Sequence, residues 1–279
     1  MNFGKRIAVS LLGAALMPFG VAMAADYEPP IIIDEAPEVV PVEVGSGWYL
    51  RGDIGYVFSQ KTDSYTYRTF DAGTGTYGSA RFDEVDLKEP FTFGAGFGYH
   101  FNDLLRADFT VDGMRTRMNG QTFSALPCTP MLAGTGCRSE DRADVSAISF
   151  MANGYVDLGT VAGFTPYVGA GAGYTYVSWS ELDSKFYCVG GNCPGSYLGL
   201  SENGGAKEWR FTWQAMAGVA YAINKNLKVD LGYRYRQIEK GDMFDWDAGS
   251  AAVGATGIQG RDGDLEQHEV RIGLRYDLW

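Results

Sequence analysis

From Trp48 onward the chain alternates apolar and polar residues with a period of two, in eight separate stretches. In the first, Trp48, Leu50, Ile54, Tyr56 and Phe58 share one face, with Arg51, Asp53 and Ser59 on the other. The second sets Phe91, Phe93, Ala95, Phe97 and Tyr99 against Thr92, Gly94, Gly96, Gly98 and His100. In the third, Leu105, Ala107, Phe109 and Val111 oppose Arg106, Asp108, Thr110 and Asp112. The fourth alternates Ile148, Phe150, Ala152 and Val156 with Ser149, Asn153 and Asp157. The fifth runs from Pro166 to Trp179, where Val168, Ala170, Ala172 and Tyr174 alternate with Gly169, Gly171, Gly173 and Thr175. The sixth places Trp209, Phe211, Trp213, Ala215, Val219 and Tyr221 opposite Arg210, Thr212, Gln214 and Gly218. Leu227, Val229, Leu231, Tyr233 and Tyr235 oppose Lys228, Asp230, Arg234 and Arg236 in the seventh. The last has Val270, Ile272, Leu274, Tyr276 and Leu278 on one side, and Glu269, Arg271, Arg275 and Asp277 on the other. Such alternation is the signature of strands with two unlike faces.

Each stretch is long enough to cross a bilayer at a tilt, which takes about 9–11 residues. One apolar and one polar face per strand excludes a sheet buried on both sides. A soluble barrel of the ligand-holding kind carries its apolar face inside, so the sense of the faces has to be argued from bulk. Here the apolar face bears large rings, whereas much of the other is Gly, Thr and Ser. An eight-stranded barrel is narrow and filled by its own side chains, so the small, polar face fits inside and the rings meet lipid. The pattern predicts an all-β, eight-stranded antiparallel up-and-down transmembrane β-barrel over residues 47–279. Hydrocarbon tolerates only helices and closed barrels, and no apolar run in this region approaches the length of a membrane helix.

The connections alternate in length. Short turns are expected at Asn102-Asp103, around Gly159–Gly163 and at Asn224-Lys225-Asn226, where Asn, Asp and Gly supply turn chemistry. Long loops are expected at 60–88, 115–143, 180–207 and 239–264. Short periplasmic turns with longer outside loops are the habit of outer-membrane barrels. Within the first loop, Tyr65, Tyr67 and Thr69, then Thr76, Gly78, Ala80 and Phe82, keep the two-residue rhythm around Gly73–Gly75. This predicts that the first two strands continue past the membrane as a protruding hairpin.

Ahead of the strands, Lys5 and Arg6 precede an uncharged, mostly apolar run from Ile7 to Met17, and Ala22-Met23-Ala24 offers a small-x-small exit. These are the three parts of a secretory signal peptide, assigned to residues 1–24. Residues 25–46 hold six acids, four prolines and no Lys or Arg, and are expected to form an acidic, extended periplasmic arm. Loss of the leader removes two positive charges and no acid, taking the formal charge from −11 to −13. Nucleic acid is thereby excluded as a partner, since phosphate binding wants a basic stripe. The 38 Gly, 17 Tyr, 16 Phe and 6 Trp in a chain only 46% hydrophobic suit a membrane barrel, whose aromatics mark the bilayer interfaces.

The segments Trp48-Tyr49-Leu50-Arg51-Gly52-Asp53-Ile54-Gly55-Tyr56 and Pro166-Tyr167-Val168-Gly169-Ala170-Gly171-Ala172-Gly173-Tyr174 resemble the first and fifth strands of a known group. These are the opacity-type, OmpA-like outer-membrane surface antigens, especially the alphaproteobacterial RopB-type proteins. The resemblance covers roughly residues 47–279. It implies an eight-stranded barrel in the outer membrane of a Gram-negative bacterium, surface exposure, and roles in envelope integrity or host contact. Family barrels end on an aromatic in phase with the lipid-facing side. Here Trp279 is terminal, but the lipid-facing phase falls on Tyr276 and Leu278. Insertion by the barrel-assembly machinery is the expectation.

The cysteines fall as Cys128 with Cys137 and Cys188 with Cys193, each pair inside one expected outside loop. Export to an oxidising compartment favours disulfides, with local pairing the expectation among three connectivities. A metal site would want His or further Cys at ligand spacing, and neither loop has a His; no metal or cofactor is expected. The inward face gathers Arg51, Asp53, Arg106, Asp108, Asp112, Arg210, Asp230, Arg234, Arg236, Glu269, Arg271 and Arg275. Paired carboxylates can serve as acid and base, but opposite charges at this density more simply pair with one another, because an unpaired buried charge is very costly. Only His100 and His268 exist, expected at opposite ends of the barrel without a serine motif, so no enzyme is expected. The leading reading is a structural or adhesive surface protein, its barrel held in outer-membrane lipid and its loops free to meet a host or surface ligand. The competing one is a narrow porin or ligand-capture protein for a small solute or haem, with Tyr65, Tyr67, Tyr187 and Tyr197 available to stack on it.

Overall fold

The computed structural model describes residues 47–125, 128, 135–191, 193 and 195–278. The expected signal peptide (1–24), the expected acidic arm (25–46) and Trp279 lie outside the described residues. The elements in chain order are β1 (Trp48–Thr62), β2 (Tyr65–Asp71), β3 (Thr76–Arg81), β4 (Glu84–Leu87) and β5 (Phe91–His100). Then follow β6 (Leu105–Ser124), β7 (Gly136–Asp157), β8 (Phe164–Trp179), β9 (Leu182–Val189) and β10 (Tyr197–Asn203). The last are β11 (Lys207–Ala222), β12 (Leu227–Ile238), β13 (Gly241–Asp245), α1 (Ala248–Ala252), β14 (Ile258–Asp262) and β15 (Leu265–Asp277).

Pairing runs β1–β5–β6–β7–β8–β11–β12–β15 and returns from β15 to β1, every step antiparallel. The result is an all-β, antiparallel, up-and-down, barrel-type fold whose pairings close on themselves. Closure leaves no ring strand with an open edge. At one end the connections are tight. Asn102 Oδ1 accepts from the amides of Leu104 and Leu105 at 2.9 and 2.7 Å, and Asn224 Oδ1 accepts from Asn226 and Leu227 at 2.9 and 2.8 Å. The same side-chain chemistry thus builds both turns. The turn between β7 and β8 uses left-handed backbone at Gly159 (φ 94°) and Gly163 (φ 84°).

The outward face is a belt of rings and aliphatics. Leu50, Ile54, Phe93, Phe97, Phe150, Trp209, Ile272 and Leu274 are all exposed on the isolated chain. Neighbouring strands pair these rings: Phe97 with Phe109 at 6.0 Å, Phe109 with Phe150 at 6.4 Å, and Phe150 with Trp209 at 5.7 Å between centroids. Soluble monomers rarely expose so continuous an apolar surface.

At the other end the structure corrects the sequence reading in four places. The region expected as a 115–143 loop is mostly strand, because β6 and β7 stay paired from Leu105–Val156 to Ser124–Cys137. Their inward alternation simply continues through Met114, Thr116 and Met118. The first-loop hairpin does form, Tyr67 facing Ala80 and Thr69 facing Gly78, but it does not prolong β1 and β5. It folds into a separate four-stranded sheet, ordered β13-β14-β2-β3, because β14 from the last loop takes the free edge of β2. The 180–207 and 239–264 loops likewise carry β9, β10, β13, α1 and β14. Lastly, Ser59 leaves the phase of Arg51 and Asp53, because a bulge between Val57 and Ser59 moves the register by one residue, as bulges do.

Candidate functional site

Inside the ring, alternation turns the polar residues of every strand toward one another. Asp53, Asp112 and Glu269 sit at the centre. Arg271 reaches all three, at 3.3, 3.1 and 3.5 Å. Arg234 contacts Glu269 at 2.5 Å and Asp112 at 3.1 Å, while Arg236 lies 3.6 Å from Asp112. Arg51 bridges Asp53 and Asp108, both at 2.7 Å. Four arginines therefore face four acids, which offsets the cost of burying them.

Towards the short-turn end, Arg106 pairs with Asp157 at 3.1 Å and Arg275 with Asp230 at 3.2 Å. Towards the loop end, Arg210 holds Asp262 at 2.7 Å and Glu208 at 2.9 Å. The structure turns all twelve charged residues of the sequence pattern inside the ring, as a central cluster on Asp53, Asp112 and Glu269 with separate ion pairs towards either end. The ion pairs at the two ends also use Asp157, Glu208 and Asp262, which sequence reasoning left out. Asp157 was visible in the alternation of its strand. Asp262 was not, because β14 lies inside what reads as a loop.

The interior is not made only of charge and glycine, as the pattern suggested. Tyr49, Tyr155 and Tyr167 are turned inward and buried. The Tyr49 hydroxyl donates to Asp108 at 3.1 Å, and the Arg106 guanidinium lies 3.8 Å from the Tyr155 ring centre. Glycines make room for these rings: a Cβ on Gly169 would stand 2.5 Å from Tyr155 Cδ1. Above the charges, an apolar cluster contains Met114, Met118, Val145, Val177, Trp179, Ile238 and Phe244. Trp179 and Phe244 are therefore enclosed, against the expectation that Trp and Phe rings face out. Trp179 could have been found, since it keeps the odd-numbered phase of Gly169, Gly171 and Gly173. The expectation holds along the belt and fails at the loop end, where the second sheet covers the mouth and supplies Phe244.

Cys128–Cys137 and Cys188–Cys193 are joined as two local disulfides. They sit side by side, since Cys137 on β7 is the register partner of Cys188 on β9. His100 Nε2 lies 3.4 Å from Asp277, and His268 Nδ1 is 2.6 Å from the Tyr233 hydroxyl on the outward face. Among the described residues neither is hydrogen-bonded to a serine, although Ser59 is the register partner of His268.

Between the second sheet and the ends of β6, β7, β9 and β10 lies a cavity of about 240 Å³, with Tyr67, Phe82, Asp141, Ser184 and Phe244 among its lining. Asp141 is 5% exposed and accepts from the Ser139 hydroxyl at 2.9 Å. Burial raises its carboxyl above the usual range, against the hydrogen bonds from Ser184 and Ser139. Burial also pushes the Asp262 carboxyl up to about 6, against the pull of Arg210. Among the described residues no cluster of three metal-ligating side chains occurs.

The sequence profile of the family described as "Outer membrane protein beta-barrel domain" matches residues 14–277. The chain belongs to this family. Its place is accordingly the outer membrane of a Gram-negative cell, and the outward belt of rings is the surface that meets lipid there. A family relative, an uncharacterized protein of Brucella suis biovar 1, is 36% identical over the whole of both chains. Outer membrane protein PagN of Salmonella typhimurium is 29% identical over 53% of this chain and 57% of its own. A Rickettsia conorii protein whose name marks it as a candidate adhesin is 22% identical over 98% of this chain and 99% of its own.

Proposed function

We propose that this protein is a closed, eight-stranded transmembrane β-barrel that acts as a structural and adhesive surface protein, presenting its four long loops outside the cell. On this reading residues 1–24 are removed on export, residues 25–46 stay in the periplasm, and the barrel-assembly machinery inserts the rest. The chain performs no chemistry of its own, and its partners are lipid around the belt and a host or surface ligand at the loop end.

The observation that carries this reading is the dryness of the interior. Arg234 and Gln214 are 0% exposed and Glu269 and Asp112 are 1% exposed, so no layer of water runs past them. A conducting pore would wet these side chains, as the polar lumen of a porin is wetted. The ordered second sheet and the paired cysteines stiffen the loop end, and a rigid display surface lowers the entropy cost of binding. The likeness to the rickettsial candidate adhesin agrees with a role in contact.

Planar-bilayer recording separates this from the porin reading. Purified, refolded protein is expected to give no stable single-channel steps. Reproducible steps with a defined conductance would replace the closed plug by a pore.

A further inference from the structure

We propose that the loop-end cavity binds a small organic ammonium ion, with Asp141 as its counter-charge and Tyr67, Phe82 and Phe244 as its apolar wall. The proposal stands on the cavity itself and holds whichever side of the membrane the loop end faces.

Charge comes first. Among the described residues that line the cavity, the charged ones are Asp141 and Asp247, with no Lys, Arg or His. Asp247 is already committed, since its carboxylate caps α1 by accepting from the amides of Gly249 and Ser250 and from the Ser250 hydroxyl. Asp141 is not. Its carboxylate receives only the neutral hydroxyls of Ser139 and Ser184, although it is nine-tenths buried. The nearby cations Arg142 and Lys185 stand at exposed positions of β7 and β9, on the opposite face from inward-turned Asp141 and Ser184. A buried carboxylate without a cation is costly, and here the missing partner has a space in front of it.

Shape and polarity narrow the class. Tyr67 and Phe82 meet edge to face with centroids 5.1 Å apart, and Phe82 and Phe244 do so at 6.2 Å. Ring faces attract cations through their quadrupole, and aromatic walls beside an acid are the recurring way to hold alkylated ammonium groups. An inorganic divalent ion would instead want several oxygen ligands converging on it, and one free carboxylate does not supply them. Anions are repelled. At about 240 Å³ the space is smaller than the ~300–1,000 Å³ of pockets for drug-sized molecules, which fits a compact head group.

The test is calorimetric titration of the full refolded protein in detergent, using choline chloride and its neutral isostere 3,3-dimethyl-1-butanol. Choline is expected to give a saturable heat, and the isostere to bind at least about tenfold more weakly, since it keeps the shape and loses the charge. Asp141→Asn should weaken choline by a similar factor, while Asp183→Asn, on the outward face of β9, should leave it unchanged. Heat-modifiable gel mobility checks that each variant is folded. If Asp141→Asn does not fold, Phe82→Leu serves instead, and a several-fold weaker affinity for choline is expected. No saturable heat with choline, equal binding of the two compounds, or unaltered binding by the folded Asp141 or Phe82 variant would each overturn the proposal.

Discussion

Replacing Arg234 by Met removes a fully buried cation of the central cluster while nearly keeping its volume. In the native protein this guanidinium spends Nε and Nη2 on Glu269 Oε2, at 3.1 and 2.5 Å, and Nη1 on Asp112 at 3.1 Å. Its loss strands two carboxylates at a depth where water does not reach. Breaking a buried pair from one side costs about 3–5 kcal/mol, because the remaining charge is uncompensated. Arg271 still contacts both acids, so the lower end, about 3 kcal/mol, is the expectation here. Arg236 provides the contrast within the same network. Its Nε and Nη2 find no hydrogen-bond partner among the described residues, and its contact with Asp112 is 3.6 Å. Arg236→Met should therefore cost under about 1 kcal/mol, since the acids it leaves keep their other cations. Urea unfolding of both variants in lipid vesicles reads the two numbers directly. A cost below about 1 kcal/mol for Arg234→Met, as for an exposed pair, would mean that the interior is wet and the reasoning wrong.

Other outcomes follow from the same geometry. Ile272 lies outward midway along β15, between Ile54 and Leu231 in register, so Ile272→Arg should cost about 2–4 kcal/mol in bilayer unfolding if it faces the lipid midplane. Gly169→Leu should prevent folding, read as loss of heat-modifiable mobility, because the new side chain collides with the inward Tyr155 ring. The folded state holds a proton on Asp262 up to a pH of about 6, against an ordinary value of 3.8. Between these values the unfolded chain binds fewer protons, so stability falls as pH rises through the window, by at most about 3 kcal/mol. Hydrogen exchange of the β13, β14 and β2 amides at pH 4.5 and 7 should show it, and Asp262→Asn should flatten the difference. Alkylation with and without reductant should add mass at four cysteines only after reduction; free thiols in the untreated protein would refute both disulfides.

The ring strands were legible because each carries one constraint on each face. Where lipid lies on one side and a filled core on the other, every second residue reports its environment, so Phe93, Asp112, Arg234 and Ile272 could be placed from the sequence alone. The inward tyrosines were harder, because Tyr49 and Tyr155 are ring residues on the polar phase. Their hydroxyls serve the charge network, which a reading by bulk does not anticipate. The loop end was harder still. There β2 pairs with β14, partners nearly 200 positions apart, and no local pattern announces a pairing of that range. Asp141 shows the border between the two regimes. It continues the inward phase of Ser149 and Asn153 along β7, but the sheet that covers it comes from distant segments.

The central claim is that rings such as Trp213 face lipid while the interior is sealed from it. Single-tryptophan variants in brominated-lipid vesicles test this most directly. The account predicts strong quenching of Trp213 on the outward face and little of Trp179, which is 4% exposed within the loop-end cluster. An unquenched Trp213 would contradict it.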